Sequence, residues 1–216
     1  MTTNVGTIIS AADVETVVAY AADTLGQAER QDWHVPAGDL EWTCWETIEH
    51  VADDLFAYAA QLGPRRPPRD THVPFVCEPR RQGGPASTIF AEPEGGNAGL
   101  VQVLEASGAF LAAMVKTVPS TVRAHHIFGL ADPDGFAAMG IVEVLVHLSD
   151  VTAGLGLTWQ PDPDLCARVL TRLFPDVDHG DDPWAALLWA TGRISLPGKA
   201  KLDRWRWYAA PAQDTR

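Results

Sequence analysis

Cysteine is scarce in this sequence, and the little there is builds no framework. Cys44, Cys77 and Cys166 are odd in number and far apart, unlike the even, closely spaced sets that staple small secreted domains. A Cys-x-x-Cys pair, a nucleophile elbow, a phosphate loop and a dinucleotide glycine pattern are all missing. With them go the motif-bearing routes to dithiol redox, serine-hydrolase and nucleotide chemistry. Positive charge is also in short supply. Lys and Arg number 16 against 28 Asp and Glu, a formal net charge of −12, whereas a nucleic-acid surface needs clustered cations. No apolar stretch runs for the roughly 18–20 residues free of charge or interruption that a membrane span needs. Met1 to Gly6 has neither the basic start nor the apolar core of a secretory signal. The expectation is a cytoplasmic protein, monomer or homodimer, with no nucleic-acid and no membrane partner.

What is present is enough for a sizeable core: 216 residues, 46% of them apolar. Helix starts are legible. Ser10 with Asp13, and Thr43 with Glu46, fit the capping-box pattern and predict helices over about 11–29 and 44–62. Leu100, Val103, Leu104, Leu111 and Met114 repeat at helical spacing and predict a third helix over about 98–117, ending before Pro119. A fourth, over about 134–155, follows Asp132-Pro133 and stops in the Gly154-Leu155-Gly156 region. The fold expected is mainly α: a four-helix bundle over about 1–156 with a small α+β C-terminal appendage over about 157–216. In that appendage, Asp162-Pro163 and Asp182-Pro183 predict short helices over about 163–173 and 183–192. The alternation Arg204-Trp205-Arg206-Trp207-Tyr208 reads as a half-buried strand. The long Pro- and Gly-rich segment Gly63 to Gly96 is either a functional cover or a packed surface excursion. Within it, residues 72–76 read as a short extended piece.

The chemistry concentrates on the fourth helix. Glu143 and His147 sit one turn apart in an otherwise apolar run, and Asp150 follows on the same stripe. Burying a carboxylate and an imidazole without partners costs several kcal/mol. A divalent metal satisfies both; a neutral His hydrogen-bonded to Glu143 is the plainer alternative. His50, some ninety residues upstream, offers a third ligand. Its helix, however, carries its apolar stripe (Trp45, Ile48, Val51, Ala52, Leu55, Phe56, Ala59, Leu62) on the opposite side, so periodicity places His50 at the surface unless that face borders a cleft. Imidazole with carboxylate suits zinc, iron, nickel or manganese better than calcium. Around this set, Asp150 either orients His147 or pairs with a cation. Asp54 either positions His50 or faces solvent with Asp53. His126, beside His125, either lines a substrate pocket or is a loop histidine bonded to backbone. Arg193 either holds a substrate carboxylate or is a helix C-terminal cation. Arg193, Lys199, Lys201, Arg204 and Arg206 make the C-terminal stretch locally basic, for an anionic substrate or as a solvated tail. Cys44 and Cys166 read as small core hydrophobes. Cys77, near Arg80 and Arg81, is the thiol whose pKa those cations would lower.

Two blocks carry a family resemblance. Trp42-Thr43-Cys44-Trp45-Glu46-Thr47-Ile48-Glu49-His50, with Asp53 following, resembles the start of helix two in the DinB-like superfamily. More closely it resembles the N-terminal domain of mycothiol-dependent maleylpyruvate isomerases. Glu143-Val144-Leu145-Val146-His147-Leu148-Ser149-Asp150 resembles that family's E-x-x-x-H-x-x-D helix. The resemblance spans roughly residues 10–156, and Leu187 to Arg193 resembles the C-terminal segment of actinobacterial members. It implies metal ligands His50, Glu143 and His147, usually on zinc, and mycothiol as thiol cosubstrate. The implied activity is a thiol S-transferase or cis–trans isomerase in which the metal favours the thiolate. The residues after 156 are fewer than in the appended domain of a full isomerase, so the electrophile stays open. A non-catalytic metal-stabilised binding protein, or a metal-dependent hydrolase using Asp150 or Glu46, are the alternatives.

Overall fold

Side-chain caps and glycines set the helix limits in the computed structural model, which describes residues 8–214. The Met1 to Gly6 stretch read above for a signal lies outside the described residues, as do the outermost ends of both expected domains. Helix α1 (Ala11–Gly26) opens where the Asp13 carboxylate accepts from the backbone N–H of Ser10 at 2.8 Å. Helix α2 (Cys44–Leu62) opens with the full reciprocal box: Thr43 Oγ1 accepts from Glu46 N, and Glu46 accepts from Thr43 N. A turn of 3₁₀ helix (Pro93–Gly95) leads into α3 (Gly96–Thr117). Asp132 caps α4 (Pro133–Leu155), its carboxylate accepting from Gly135 N, and Gly156 ends the helix at φ +67°, a conformation that costs glycine little. Helix α1 stops three residues before its expected end, in a run of turns.

These four helices pack on one another, α1 and α2 each against both α3 and α4. Helix α4 is the axis of the core. Every residue from Gly135 to Leu148 is buried, which is why its sequence is apolar on all sides. Its C-terminal turn is held close to the chain before α2, because a Cβ on Gly154 would sit 2.3 Å from the Pro36 carbonyl oxygen. Two helices, α4 and Pro93–Thr117, are long and apolar enough to cross a membrane by length and composition, with mean hydropathy 1.5 and 1.6. Neither is free of charge, since Glu105 interrupts one and Glu143 the other. In α4 the composition serves the core, since 78% of the window is buried inside the protein, against 33% in the other.

The long segment after α2 lies down on the polar face of that helix. Thr88 N and Ile89 N donate to Asp53, Ala91 N to Glu49 and Val73 N to Gln61. Residues 72–76 form no strand; a two-residue hairpin, β1 (Glu78–Pro79) with β2 (Ala86–Ser87), is the segment's only ladder. A second hairpin precedes α4: β3 (Ala124–His126) pairs with β4 (Gly129–Ala131), so His125 and His126 lie on a strand, not in a loop.

Beyond Gly156, α5 (Pro163–Leu173) packs on α4 and on α6 (Pro183–Ala190), each opened by an aspartate cap. Arg172 ties α5 back to the bundle through Asp132 at 2.8 Å. The expected strand at 204–208 does not form. The alternation is real, with Trp207 and Ala209 buried and Arg206 and Tyr208 exposed. Among the described residues no neighbouring strand supplies a ladder, and the segment is held by single contacts such as Tyr208 N to the Leu173 carbonyl. The basic side chains near it are partly occupied: Lys199 lies 4.8 Å over the Trp189 ring and Arg206 5.7 Å over Tyr208.

Candidate metal centre

Packing α2 against α4 brings His50 to the Glu143/His147 pair. One nitrogen or oxygen from each of the three lies within 4.8 Å of the other two, and the group could hold a metal ion. Within α4, His147 Nε2 is 3.4 Å from Glu143 Oε2, and Nδ1 is 3.2 Å from Asp150 Oδ2. The second contact is close but not aligned along the ring N–H, so Nδ1 counts as buried without a hydrogen bond, as does His50 Nδ1. A buried and a half-buried imidazole, each with a buried ring nitrogen left unsatisfied, face the Glu143 carboxylate, a donor set that suits a borderline divalent ion.

Neighbours fix the three side chains. Asp54, one turn after His50, is 3.3 Å from its Nε2. Tyr58, a further turn on, donates to Glu143 Oε1 across a long 3.5 Å. Asp150 also accepts from Arg193 Nη2 at 3.0 Å, while Arg193 Nη1 donates to the Thr191 carbonyl. Asp150 thus touches both His147 and a cation, and Arg193 reaches a carbonyl just past the end of α6. The Trp42 ring stands edge-on to His50, centroids 4.9 Å apart, and lies 6.2 Å from His147.

Electrostatics separate the two histidines. Burial pushes His50 down to about 4, with His147 and Arg193 adding to the effect against the pull of Glu143. Burial acts on His147 as well, but the Asp150 and Glu143 carboxylates outweigh it and leave its pKa above 6.5. Glu143 resists its own burial because His147 and His50 face it, and its pKa stays below the usual value. Asp54 is raised well above the carboxylate range by burial and then by Glu143 and Asp53.

Two cavities share His50 and Glu143 as lining. One, of about 440 Å³, takes in Trp42, His147, Thr191, Arg193 and Trp205. The other, of about 320 Å³, takes in Tyr58, His126, Phe128, Phe136 and Trp207. Arg193 and His126 thus flank the three donors from different cavities. A further hollow lies under the 63–96 segment beside Arg80 and Arg81. There Arg81 is paired with Glu46 at 2.5 Å and Arg80 stacks on Phe90. Glu46 is therefore spent away from the three donors. Those pairings also leave Cys77 without cationic help: burial, with Asp53 second, raises its pKa. Burial pushes Cys44 up to about 11 and Cys166 to about 12.

Periodicity misplaces His50, and Asp53 as well, which is buried under the 63–96 segment rather than facing solvent. Tyr58 passed unnoticed although a signal was there: His50, Asp54 and Tyr58 are spaced four apart on α2 and so share one stripe. Trp205 and Trp207, read as strand residues, turn out to wall the two cavities. No protein-family model, no curated protein and no solved structure matches this chain.

Proposed function

We propose that the protein is a metal-dependent enzyme of the DinB-like, mycothiol-dependent maleylpyruvate isomerase kind, using a small-molecule thiol in S-transfer or cis–trans isomerisation. The observation that carries this reading is the convergence of His50, Glu143 and His147 between two cavities. Three protein donors leave an ion with room for a further ligand, as catalytic sites do and structural sites do not. Among the ions that suit the donor set, zinc is the one the sequence blocks favour, and mycothiol is the thiol they favour. Bound there, a divalent ion would supply the charge that keeps a thiol as its thiolate at neutral pH.

The protein's own groups would do the rest. Asp150, anchored by Arg193, turns His147 so that Nε2 faces Glu143. Trp42 closes one side of the imidazoles. Addition of the thiol sulfur to an electrophilic carbon gives a stable conjugate. Reversible addition across a double bond allows rotation and, on elimination, returns the thiol and an isomerised product.

A non-catalytic binding protein with a closed shell is the less supported reading, because a closed shell would have no cavity beside the donors. The hydrolase reading loses Glu46 to Arg81. Metal analysis of the purified protein, then calorimetric titration with mycothiol, tests the proposal. Stoichiometric metal and metal-dependent thiol binding are expected. Absence of metal, with thiol binding and conjugation unchanged in His147→Ala, sinks it.

A further inference from the structure

The 320 Å³ cavity differs from its neighbour in charge and in walls. Arg193 lines the larger one, whereas no Lys or Arg lines the smaller. Its acidic side chains are Glu143 and Asp54, the latter with its pKa raised well above the carboxylate range by burial, and Tyr58, Phe128, Phe136 and Trp207 give it aromatic walls. His126 stands among those rings, with centroids 6.1 Å from Tyr58, 5.5 Å from Phe128 and 5.6 Å from Trp207.

The hydrogen bonding of His126 settles which nitrogen carries its proton. Phe128 N donates to His126 Nδ1 at 3.1 Å across the tip of the β3–β4 hairpin. An accepting Nδ1 is unprotonated, so the neutral ring bears its hydrogen on Nε2. No protein acceptor for Nε2 exists among the described residues. Burial, with His72 second, pushes the ring down to about 4, so it stays neutral near pH 7 and Nε2–H is a donor held ready by the hairpin.

We propose that this cavity binds the electrophile as a flat, uncharged aromatic or conjugated carbonyl compound whose oxygen accepts from His126 Nε2–H. Aromatic walls with a few convergent polar groups are the usual make-up of a small-molecule site; here His126 stands among the rings, with Gln61, His72 and His125 also in the lining. In the metal-free protein, the absence of any lining Lys or Arg and the Glu143 carboxylate, whose pKa stays below its usual value, disfavour anionic compounds. Naming this cavity as the electrophile's rests on the thiol-using reading of the neighbouring donors; the binding chemistry itself does not.

The test uses metal-free protein without thiol, so its failure is separate from failure of the metal-and-thiol reading. The probe is para-dimethylaminoacetophenone, whose absorption band moves to the red and whose carbonyl stretch falls when the oxygen accepts a hydrogen bond. Wild-type protein is expected to bind it saturably with both shifts. His126→Phe keeps a ring but removes the donor; both shifts should vanish and affinity should fall about tenfold, the scale of one hydrogen bond. His126→Gln, whose amide can still donate, should restore part of the shift. Para-acetylbenzoate should compete at least about tenfold more weakly than acetophenone, a comparison that needs no variant. The proposal is overturned by absence of probe binding, by full shifts in His126→Phe, or by equal competition from the carboxylated compound.

Discussion

Asp150 ties the site together at the level of single residues. Its carboxylate lies 3.2 Å from His147 and 3.0 Å from Arg193, joining α4 to the segment after α6. Asp150→Asn should weaken divalent-metal affinity about ten- to a hundredfold, the usual cost of losing a ligand's orienting partner. Equilibrium dialysis against zinc would check it, and unchanged affinity would remove Asp150 from the site. The two histidine pKa shifts make a second prediction. His50 is held near 4 and Glu143 below its usual value, so neither carries a proton to be lost near neutrality. His147 is shifted upward and must shed its proton to bind. Metal affinity should therefore rise with pH until it passes the pKa of His147 and then level off. About one proton should be released per ion, read by calorimetry in buffers of different ionisation enthalpy. Folding of the metal-free protein follows a different window. His50 and His126 have folded pKa values near 4, below the ordinary 6.5, so the unfolded chain takes up protons first. Their contribution is complete above about pH 6.5 and is lost as the pH falls towards 4, on the order of 1–3 kcal/mol for each ring. Urea midpoints measured across that window should drop, and by less in His126→Phe.

Elements decide how far these residues could be read in advance. Glu143 and His147 are legible because two polar side chains in an apolar run at helical spacing require a partner. His50 is not, because periodicity assumes that water lies beyond a polar helix face. Here the chain itself lies there. The 63–96 segment brings its own backbone N–H groups, and Glu49, Asp53 and Gln61 answer them. A polar face covered by backbone looks the same in sequence as a solvated one. Asp53→Ala should leave Thr88 N and Ile89 N without their acceptor and cost about 1–3 kcal/mol. Amide exchange should speed up at 88 and 89 before it changes at Gly135 to Leu148. Uniform exchange rates in wild type and variant would show that the segment is held by other means. Gly154 is an element-scale constraint of another kind, since a methyl group there meets a backbone oxygen that has little room to move. Gly154→Ala should destabilise the fold by at least about 1–3 kcal/mol, measurable by denaturant unfolding.

For the whole molecule, the mainly helical architecture was legible in the capping pairs and the aspartate-proline starts. Five of the six α-helices of the described residues begin within about one residue of where those signals place them, and α3, read from its apolar spacing, begins within about two. The last segment was legible only in part. Its alternation fixes which side chains turn inward, but alternation says nothing about whether a second strand is there to pair with it. Trp205 and Trp207 are used instead to wall cavities beside α4. The apolar composition of α4 likewise reflects its place as the core axis. Around that axis, α2 contributes His50, α4 contributes Glu143 and His147, and the C-terminal segment contributes Arg193. Cobalt(II) substitution followed by thiol titration tests the account most directly. One cobalt per chain is expected, lost in His50→Ala and His147→Ala, with a thiolate-to-cobalt charge-transfer band growing to saturation as mycothiol is added. A protein that retains no cobalt, or whose cobalt spectrum is indifferent to thiol, would contradict it.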